Sequence, residues 1–201
     1  AASGSMLLRF NGNISARLDP QRIITTPKSV SKGFMTPEMM VIVDNDGVMT
    51  DGRIILGDKG DELKFFDVQD GHGLVMLRRA GFKTVMISGK TSPVNKRRMK
   101  ELLFCDLYQK AIDKLEVFNK VLKKYRLKGE QVCYIGDDLI DLPPMRRSGF
   151  AVAVANAVGE VKSRAHYTTR KNGGRGAVRE VVDLLLKTQG LWKDVTARYY
   201  R

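Results

Sequence analysis

Two carboxylates separated by one residue follow a short apolar run and precede a glycine. The run covers residues 41–43, the acids are Asp44 and Asp46, and Gly47 comes next. Because side chains alternate along a strand, an extended chain would place both acids on one face. Two neighbouring carboxylates repel each other unless a cation joins them, and Mg²⁺ favours carboxylate and carbonyl oxygens. The spacing therefore indicates a magnesium site, although a strand that runs into a polar Asp-Gly turn would give the same pattern.

Three further polar groups follow predicted strands or a strand–helix junction. They are Ser88, Lys114, and the acids Asp137, Asp138 and Asp141. The carboxyl ends of parallel strands lie at one edge of a sheet, so these side chains can converge there with the first acidic pair. A carboxylate that attacks an anionic phosphorus atom needs positive charge to offset the repulsion between them. The set therefore predicts phosphoryl transfer.

Each group has a predicted chemical role. Asp44 is the predicted nucleophile, and Asp46 is predicted to protonate the leaving oxygen and then to activate water. Lys114 is expected to offset negative charge, and Ser88 to donate a hydrogen bond to a phosphate oxygen. The predicted magnesium ligands are Asp44, Asp46 and Asp137, with Asp138 and Asp141 supporting them.

Strand patterns and helix patterns alternate along the chain. This alternation predicts an α/β fold, a Rossmann-like and mostly parallel sheet with helices on both faces. Predicted strands cover residues 39–43, 83–87, 106–108, 131–135 and 151–154, and predicted helices cover residues 74–79, 93–103, 113–125 and 178–187.

A hairpin is predicted between the first strand and the first helix. Residues 53–56 and 62–66 are apolar segments that flank a polar turn, so they would pair as a β-hairpin that could cover the acidic site. Asp70 and a Gly-His-Gly segment follow, which places His72 in a loop at the mouth of the site. The two glycines do not form a dinucleotide fingerprint, because Met76 stands where a third glycine would be needed.

Composition limits the classes of partner. The chain has 201 residues, enough for one α/β domain, and a net charge of +13 that would suit nucleic acid, anionic lipid or a small anionic substrate. The sequence carries no RNA-binding or zinc-finger signature, so nucleic acid is not the expected partner. No apolar run is long enough to span a bilayer. Cys105 and Cys133 are expected to be buried thiols, which fits a cytoplasmic protein.

The order of the polar groups resembles the haloacid dehalogenase superfamily, in which D-x-D-G, a Ser or Thr, a Lys and G-D-D-x-x-D follow one another. Four longer segments, at residues 51–54, 62–71, 134–141 and 173–180, resemble the KDO (3-deoxy-D-manno-octulosonate) 8-phosphate phosphatase family. The resemblance covers about residues 39–191. A response-regulator receiver uses similar residues, but it keeps its acidic pair and its phosphoacceptor on different strands.

The resemblance implies a capless, Mg²⁺-dependent phosphatase that forms an aspartyl-phosphate. Its substrate would be a small anionic sugar-acid phosphate, KDO 8-phosphate, used for lipopolysaccharide precursors. The family forms homotetramers whose hairpins and C-terminal tails help to close neighbouring sites. The expected substrate-binding residues are Gly89, Lys90, Arg98, Asp70, His72 and Arg175.

Two alternatives remain from the sequence. Lys90 stands where the family usually has arginine, and lysine lacks the fork that binds a carboxylate through two hydrogen bonds, so another nonulosonate or sugar phosphate is an alternative substrate. A non-catalytic oligomerisation or nucleic-acid-binding homologue is the other alternative, and the complete acidic set argues against it.

Three segments are predicted along the chain. Residues 1–38 are a flexible extension whose first five residues look like a cloning remnant, residues 39–191 are the phosphatase domain, and residues 192–201 are a C-terminal tail.

Overall fold

The computed structural model describes residues 8–10, 13–19, 22–25 and 39–201. The first three ranges are strands β1 (Leu8–Phe10), β2 (Asn13–Asp19) and β3 (Arg22–Thr25), which pair antiparallel in that order. The sequence does not predict these strands. The rest of the predicted extension, including the supposed cloning remnant, lies outside the described residues, and the segment boundaries stay a prediction.

The remaining elements alternate between strand and helix. The strands are β4 (Met40–Val43), β5 (Ile55–Leu56), β6 (Glu62–Leu63), β7 (Lys83–Ile87), β8 (Asp106–Tyr108), β9 (Val132–Gly136), β10 (Phe150–Ala153) and β11 (Tyr167–Thr168). The helices are α1 (Val68–Arg79), α2 (Pro93–Leu102), α3 (Lys114–Tyr125), α4 (Leu142–Met145), α5 (Gly159–Lys162), α6 (Ala177–Thr188) and α7 (Trp192–Thr196).

Six strands form one parallel sheet in the order β11-β10-β9-β4-β7-β8. The chain leaves β4 towards β7 and β8, then returns to the other side of β4 through β9. Crossovers between parallel strands are right-handed, so the two directions of travel put helices on both faces of the sheet. The predicted fold class is confirmed. Ligands of such sheets bind where the strand order reverses, which here is the carboxyl edge of β4 and β9.

Strand β4 is the centre of the core. All four of its residues have no solvent exposure, because β7 and β9 cover its edges and helices cover its faces. The sequence of a strand that is buried on both faces is a continuous apolar run, and for this reason the sequence predicts β4 correctly. Its burial fixes the position from which the acidic turn emerges.

Helix α1 begins six residues before the predicted start. Asp67 caps it by accepting the backbone N–H groups of Gln69 and Asp70, so Asp70 and His72 lie in a helix and the predicted loop is wrong. The glycine in this first turn leaves room for a neighbouring side chain. A Cβ at Gly71 would lie 2.5 Å from Nη2 of Arg98.

The predicted hairpin is present. Strands β5 and β6 pair antiparallel, with Ile55 opposite Leu63. Several of its apolar side chains face solvent, including Leu56 at 74% and Phe65 at 62% exposure. No cap domain is evident in residues 39–201, so within this range nothing covers the ribbon.

Two composition-based expectations have different outcomes. Cys133 is buried, but Cys105 is exposed, so the prediction of two buried thiols is half wrong. Among the described residues, no helix has the length and apolar character needed to cross a membrane.

Asp70 is fully buried and joins α1 to the start of α6. Its two carboxylate oxygens accept the backbone N–H of Gly176 at 3.1 Å and of Arg179 at 2.7 Å. The first N–H groups of a helix have no partner within the helix, so this distant side chain serves as the cap. It therefore holds the loop before α6 in place.

We predict that Asp70→Ala destabilises the fold by about 1–3 kcal/mol, because it leaves two buried N–H groups without a partner. Urea unfolding would measure the change. The matched control is Asp183→Ala, which removes only a partly exposed ion pair with Arg179 on α6 and should cost less than about 1 kcal/mol. Equal effects of the two substitutions would contradict this role of Asp70.

Candidate active site

The acidic turn follows directly from β4. Asp44 continues the sheet pattern, since its backbone N–H donates to the carbonyl of Ile135 at 3.0 Å. Gly47 then adopts φ = +93°, which favours glycine, and a Cβ there would lie 2.0 Å from Oδ2 of Asp137. The glycine of D-x-D-G thus lets the acidic groups of β4 and β9 approach each other.

Lys114 lies between two of the acids. Its Nζ is 2.9 Å from Oδ1 of Asp44 and 2.7 Å from Oδ1 of Asp141, and its side chain has no solvent exposure. A buried ammonium needs carboxylate partners, and this one has two. Asp113 caps the helix that begins at Lys114 by accepting the N–H groups of Leu115 and Glu116.

Asp141 joins the groups behind the site. Its Oδ1 accepts from Lys114 and, at 2.8 Å, from the hydroxyl of Tyr134. Its Oδ2 accepts the backbone N–H groups of Asp137 and Asp138 at 3.1 and 3.3 Å. Both oxygens are therefore occupied, which fits the predicted supporting role better than a ligand role. Asp138 is exposed and its carboxylate caps the next turn at Leu139.

Three carboxylates form a cluster suited to a cation. Ligand atoms of Asp44, Asp137 and Asp141 lie within 4.8 Å of one another. Burial and the charge of Asp141 raise the pKa of Asp44 well above its usual value and that of Asp137 to about 7. Oδ1 of Asp137 is buried without a hydrogen-bond partner. Since Asp141 is already saturated, Asp44 and Asp137 are the carboxylates that fit Mg²⁺, a hard cation that prefers oxygen ligands.

Asp46 is not one of the three carboxylates of this cluster, and its predicted part in the metal site stays a prediction. Its Oδ1 accepts from Nζ of Lys64 at 2.6 Å and from Nδ2 of Asn45 at 2.9 Å. Asn45 also donates to Oδ1 of Asn95 at 3.0 Å. As a ligand for the cation, Asp46 can offer its backbone carbonyl.

Ser88 and its neighbours occupy the turn after β7. The hydroxyl of Ser88 is almost fully buried and exchanges hydrogen bonds of 3.2 Å with the backbone of Lys90. Gly89 is half-buried, and the side chain of Lys90 lines a groove that reaches Leu56 of the hairpin. These residues lie at the carboxyl edge of the sheet, as predicted.

Arg98 lies beside the hairpin, and Arg175 lies beside Asp51. The guanidinium of Arg98 is 5.5 Å from the ring centre of Phe66, at the base of the hairpin, and its Nε is buried without a partner. Arg175 is largely exposed, with Nη2 4.0 Å from Oδ2 of Asp51. The glycines before it pack on the acidic turn, since a Cβ at Gly173 would lie 1.8 Å from the carbonyl oxygen of Gly47.

The structure does not bring Asp70 and His72 to the acidic cluster. Asp70 has no exposure and caps α6, so it supports the site from behind. His72 is exposed on α1, and its Nε2 is 3.0 Å from the hydroxyl of Tyr199 in the C-terminal segment. Burial and the charges of Arg179 and Arg79 lower the pKa of His72. Neither position supports a direct contact with substrate.

Sequence reasoning missed Tyr134, Asn45, Asn95 and Lys64. Tyr134 lies inside an apolar strand and Asn95 inside a basic helix, and neither sequence context indicates a contact with the carboxylates of the site. The sequence gives an indication only for Lys64. In the alternating pattern of the hairpin, this lysine lies on the same face as Glu62, and that face could point towards the site.

The parallel sheet and the acids at its carboxyl edge define a haloacid dehalogenase-like hydrolase, whose sequence profile matches residues 98–181. A 3-deoxy-D-manno-octulosonate 8-phosphate phosphatase from Yersinia pestis is 45% identical over 157 residues, 78% of this chain and 84% of the relative. The chain belongs to the 3-deoxy-D-manno-octulosonate 8-phosphate phosphatase family.

Solved structures agree with this assignment. A probable phosphatase from Pseudomonas syringae has a TM-score of 0.80 at 41% identity, covering 85% of this chain and 99% of that one. The 3-deoxy-D-manno-octulosonate 8-phosphate phosphatase from Moraxella catarrhalis, in complex with magnesium, phosphate and KDO, has a TM-score of 0.80 at 37% identity. That match covers 83% of this chain and 96% of the other.

A second profile, the class II aldolase and adducin N-terminal domain, matches residues 3–64. This range ends inside the hairpin and takes in only β4 of the six-stranded sheet. It separates Asp44 from Lys114 and Asp137, which complete the cluster, so it does not account for the site.

We predict that Mg²⁺ stabilises the folded protein through Asp137. Binding at a hundredfold excess over Kd adds about 2.7 kcal/mol, which thermal unfolding with Mg²⁺ or with EDTA would detect. Asp137→Asn should remove most of this gain, whereas Asp138→Asn, an exposed neighbour, should keep it.

The stabilisation by Mg²⁺ should also grow with pH. The raised pKa of Asp137 means that the metal-free fold retains a proton between its ordinary pKa of 3.8 and about 7. Metal-free stability therefore falls as pH rises through this range, while proton competition with Mg²⁺ declines. A gain that is unchanged in Asp137→Asn, or that shrinks with rising pH, would contradict the prediction.

Proposed function

We propose that this chain is a Mg²⁺-dependent phosphomonoesterase that hydrolyses 3-deoxy-D-manno-octulosonate 8-phosphate to KDO and phosphate. The observation that carries the proposal is the pair of buried Asp44 and Lys114 beside the half-buried Asp137, in a chain of this family, with one buried oxygen of Asp137 left without a partner. The Moraxella catarrhalis relative was solved with magnesium, phosphate and KDO, which supports both the cation and the product.

In the proposed mechanism, Asp44 attacks phosphorus and forms an aspartyl-phosphate. Lys114, at 2.9 Å from Asp44, holds the nucleophile in place and offsets the negative charge that gathers during transfer. Mg²⁺ held by Asp44 and Asp137 would supply further positive charge, which would offset the repulsion between the nucleophile and the phosphate. Asp46 gives a proton to the leaving oxygen and then takes one from the attacking water. Ser88 donates to a phosphate oxygen once it exchanges its present bonds within the turn.

The sugar acid is proposed to contact Gly89, Lys90, Arg98 and Arg175. The three cations provide charge for the substrate carboxylate, and capture of such an anion benefits from a local positive field. This use of the positive charge is favoured over nucleic-acid binding.

A second candidate is a phosphatase of another sugar-acid phosphate on the same scaffold. Lys90 favours it, because an ammonium is a point charge without the two-pronged geometry of arginine. A phosphate-release screen over sugar phosphates with and without a carboxylate separates the two substrates.

The biological setting is proposed from the same family membership. We place the reaction in the cytoplasm, in the supply of lipopolysaccharide precursors. The functional unit is proposed to be a homotetramer, because a hairpin that exposes Leu56 and Phe65 has no cap domain in residues 39–201 to cover it.

We predict that Asp44→Asn abolishes phosphate release while the fold is retained, because the amide is a poor nucleophile. The control is Glu116→Gln, an exposed acid on α3 that pairs with Lys120 and should leave turnover nearly unchanged. Phosphate release with KDO 8-phosphate and Mg²⁺ is the measurement. Full activity of Asp44→Asn, or of the wild type in excess EDTA, would refute the mechanism.

We predict that Leu56→Glu combined with Phe65→Glu dissociates the tetramer, because buried carboxylates at an apolar interface are costly. Leu103→Glu, at an apolar residue outside the hairpin that is 55% exposed, should leave assembly intact. Light scattering at micromolar concentration would report the mass of each variant. A monomeric wild-type protein would contradict the proposed homotetramer.

A further inference from the structure

Lys64 is a buried cation on an exposed hairpin. Its side chain has no solvent exposure, although its neighbours Leu63 and Phe65 are more than half exposed. Its Nζ lies 2.6 Å from Oδ1 of Asp46 and 3.3 Å from Oε1 of Glu62. A buried charge is tolerated only with well-placed partners, so these two carboxylates specify where the ammonium lies. The hairpin is therefore fixed to the acidic turn at this residue.

The same oxygen of Asp46 is held from a second side. Asn45 donates to Oδ1 at 2.9 Å, and Asn45 is itself held by Asn95 of α2 at 3.0 Å. Both asparagines are fully buried. Within residues 39–201, Oδ2 of Asp46 forms no hydrogen bond, and the carboxylate keeps partial exposure. One oxygen is thus anchored, and the other has no hydrogen-bond partner within residues 39–201.

We propose that Lys64 is a positioning residue for Asp46, which directs the free oxygen Oδ2 towards the ester oxygen of the substrate. This inference rests on the proposed function, in which Asp46 acts as acid and base. It assigns the hairpin a second task besides assembly. The hairpin segment from β6 to Phe65 exposes Leu63 and Phe65 and presents Lys64 to the site, because side chains alternate along an extended chain.

The chemistry defines where such positioning matters. In the first step a bond forms between Asp44 and phosphorus, the ester P–O bond breaks, and the proton of Asp46 goes to the leaving oxygen. In the second step water attacks phosphorus, the bond to Asp44 breaks, and a proton of the water returns to Asp46. An alkoxide is a poor leaving group and needs that first proton, whereas a nitrophenolate leaves without it.

The test compares Lys64→Met with wild type on two substrates in single turnover. KDO 8-phosphate reports the step that needs the proton, and p-nitrophenyl phosphate reports phosphorylation of Asp44 without it. General acid catalysis contributes about 10²–10⁴-fold, so loss of positioning should slow the alkyl ester about 100-fold, with a change of less than about threefold for release of nitrophenolate. Lys64→Arg, which keeps the charge, should recover part of the loss.

Lys59→Met is the matched control, since Lys59 lies at the exposed tip of the same hairpin and forms no ion pair within the described residues. It should leave both rates unchanged. An independent variant, Asn95→Ala, lies outside the hairpin and releases Asn45, so it should cause a smaller loss that again affects only the alkyl ester. This second variant tests the idea even if Lys64→Met folds poorly.

Equal losses on both substrates would overturn the proposal, because they would mean that Lys64 supports the fold or the metal site in general. No loss on either substrate would overturn it as well. A wild type that hydrolyses neither substrate would instead refute the proposed function, so the two failures are distinguishable.

Discussion

The site depends on one buried ammonium among carboxylates. Lys114 is shared by Asp44 and Asp141, and Asp137 is a third acid with no cation of its own. Negative charge therefore exceeds positive charge at the edge of β4 and β9, and desolvation strengthens the imbalance. Asp141 is compensated by Tyr134 and two backbone N–H groups, which leaves Asp44 and Asp137 to be satisfied by a proton or a metal. The folded chain thus has an excess of carboxylates at this edge, and a bound cation would offset their negative charge.

Close backbone approach is the second constraint. Gly47 leaves room for Asp137, and the glycine loop before α6 packs against the acidic turn. Asn156 links these parts, since its amide donates to the carbonyl of Gly47 and accepts the N–H of Gly173. Asp70 fixes the other side of the same loop. The acids thus occupy defined positions because glycines let the loop before α6 pack on the backbone of the acidic turn and let the carboxylate of Asp137 approach that turn.

The sequence predicts the parts of the site that follow from strand ends. The sequence predicts Asp44, Lys114 and Asp137 at one edge because parallel strands bring their carboxyl ends together, and these side chains lie close to one another in the structure. The position of Asp46 could not be derived, since its partners Lys64 and Asn95 depend on how the hairpin folds back and how α2 packs. The start of α1 was missed because Gly71 and Gly73 weaken helix propensity, and only the packing of Arg98 and Arg179 against them explains their presence.

The position of β4 between β7 and β9 has a consequence for how the protein is made. On the ribosome, β4 emerges early, while β9, its neighbour on the other side, is synthesised only after α1, α2 and α3. Until then one edge of a wholly apolar strand lacks its partner, and such long-range parallel pairing is slow to form and exposed to aggregation. Asp44 and Asp137, the proposed metal-binding carboxylates, follow directly after these same two strands. A nascent chain can therefore bring Asp44 and Asp137 together only after β9 has paired with β4, so a cation that needs both carboxylates cannot bind before that step.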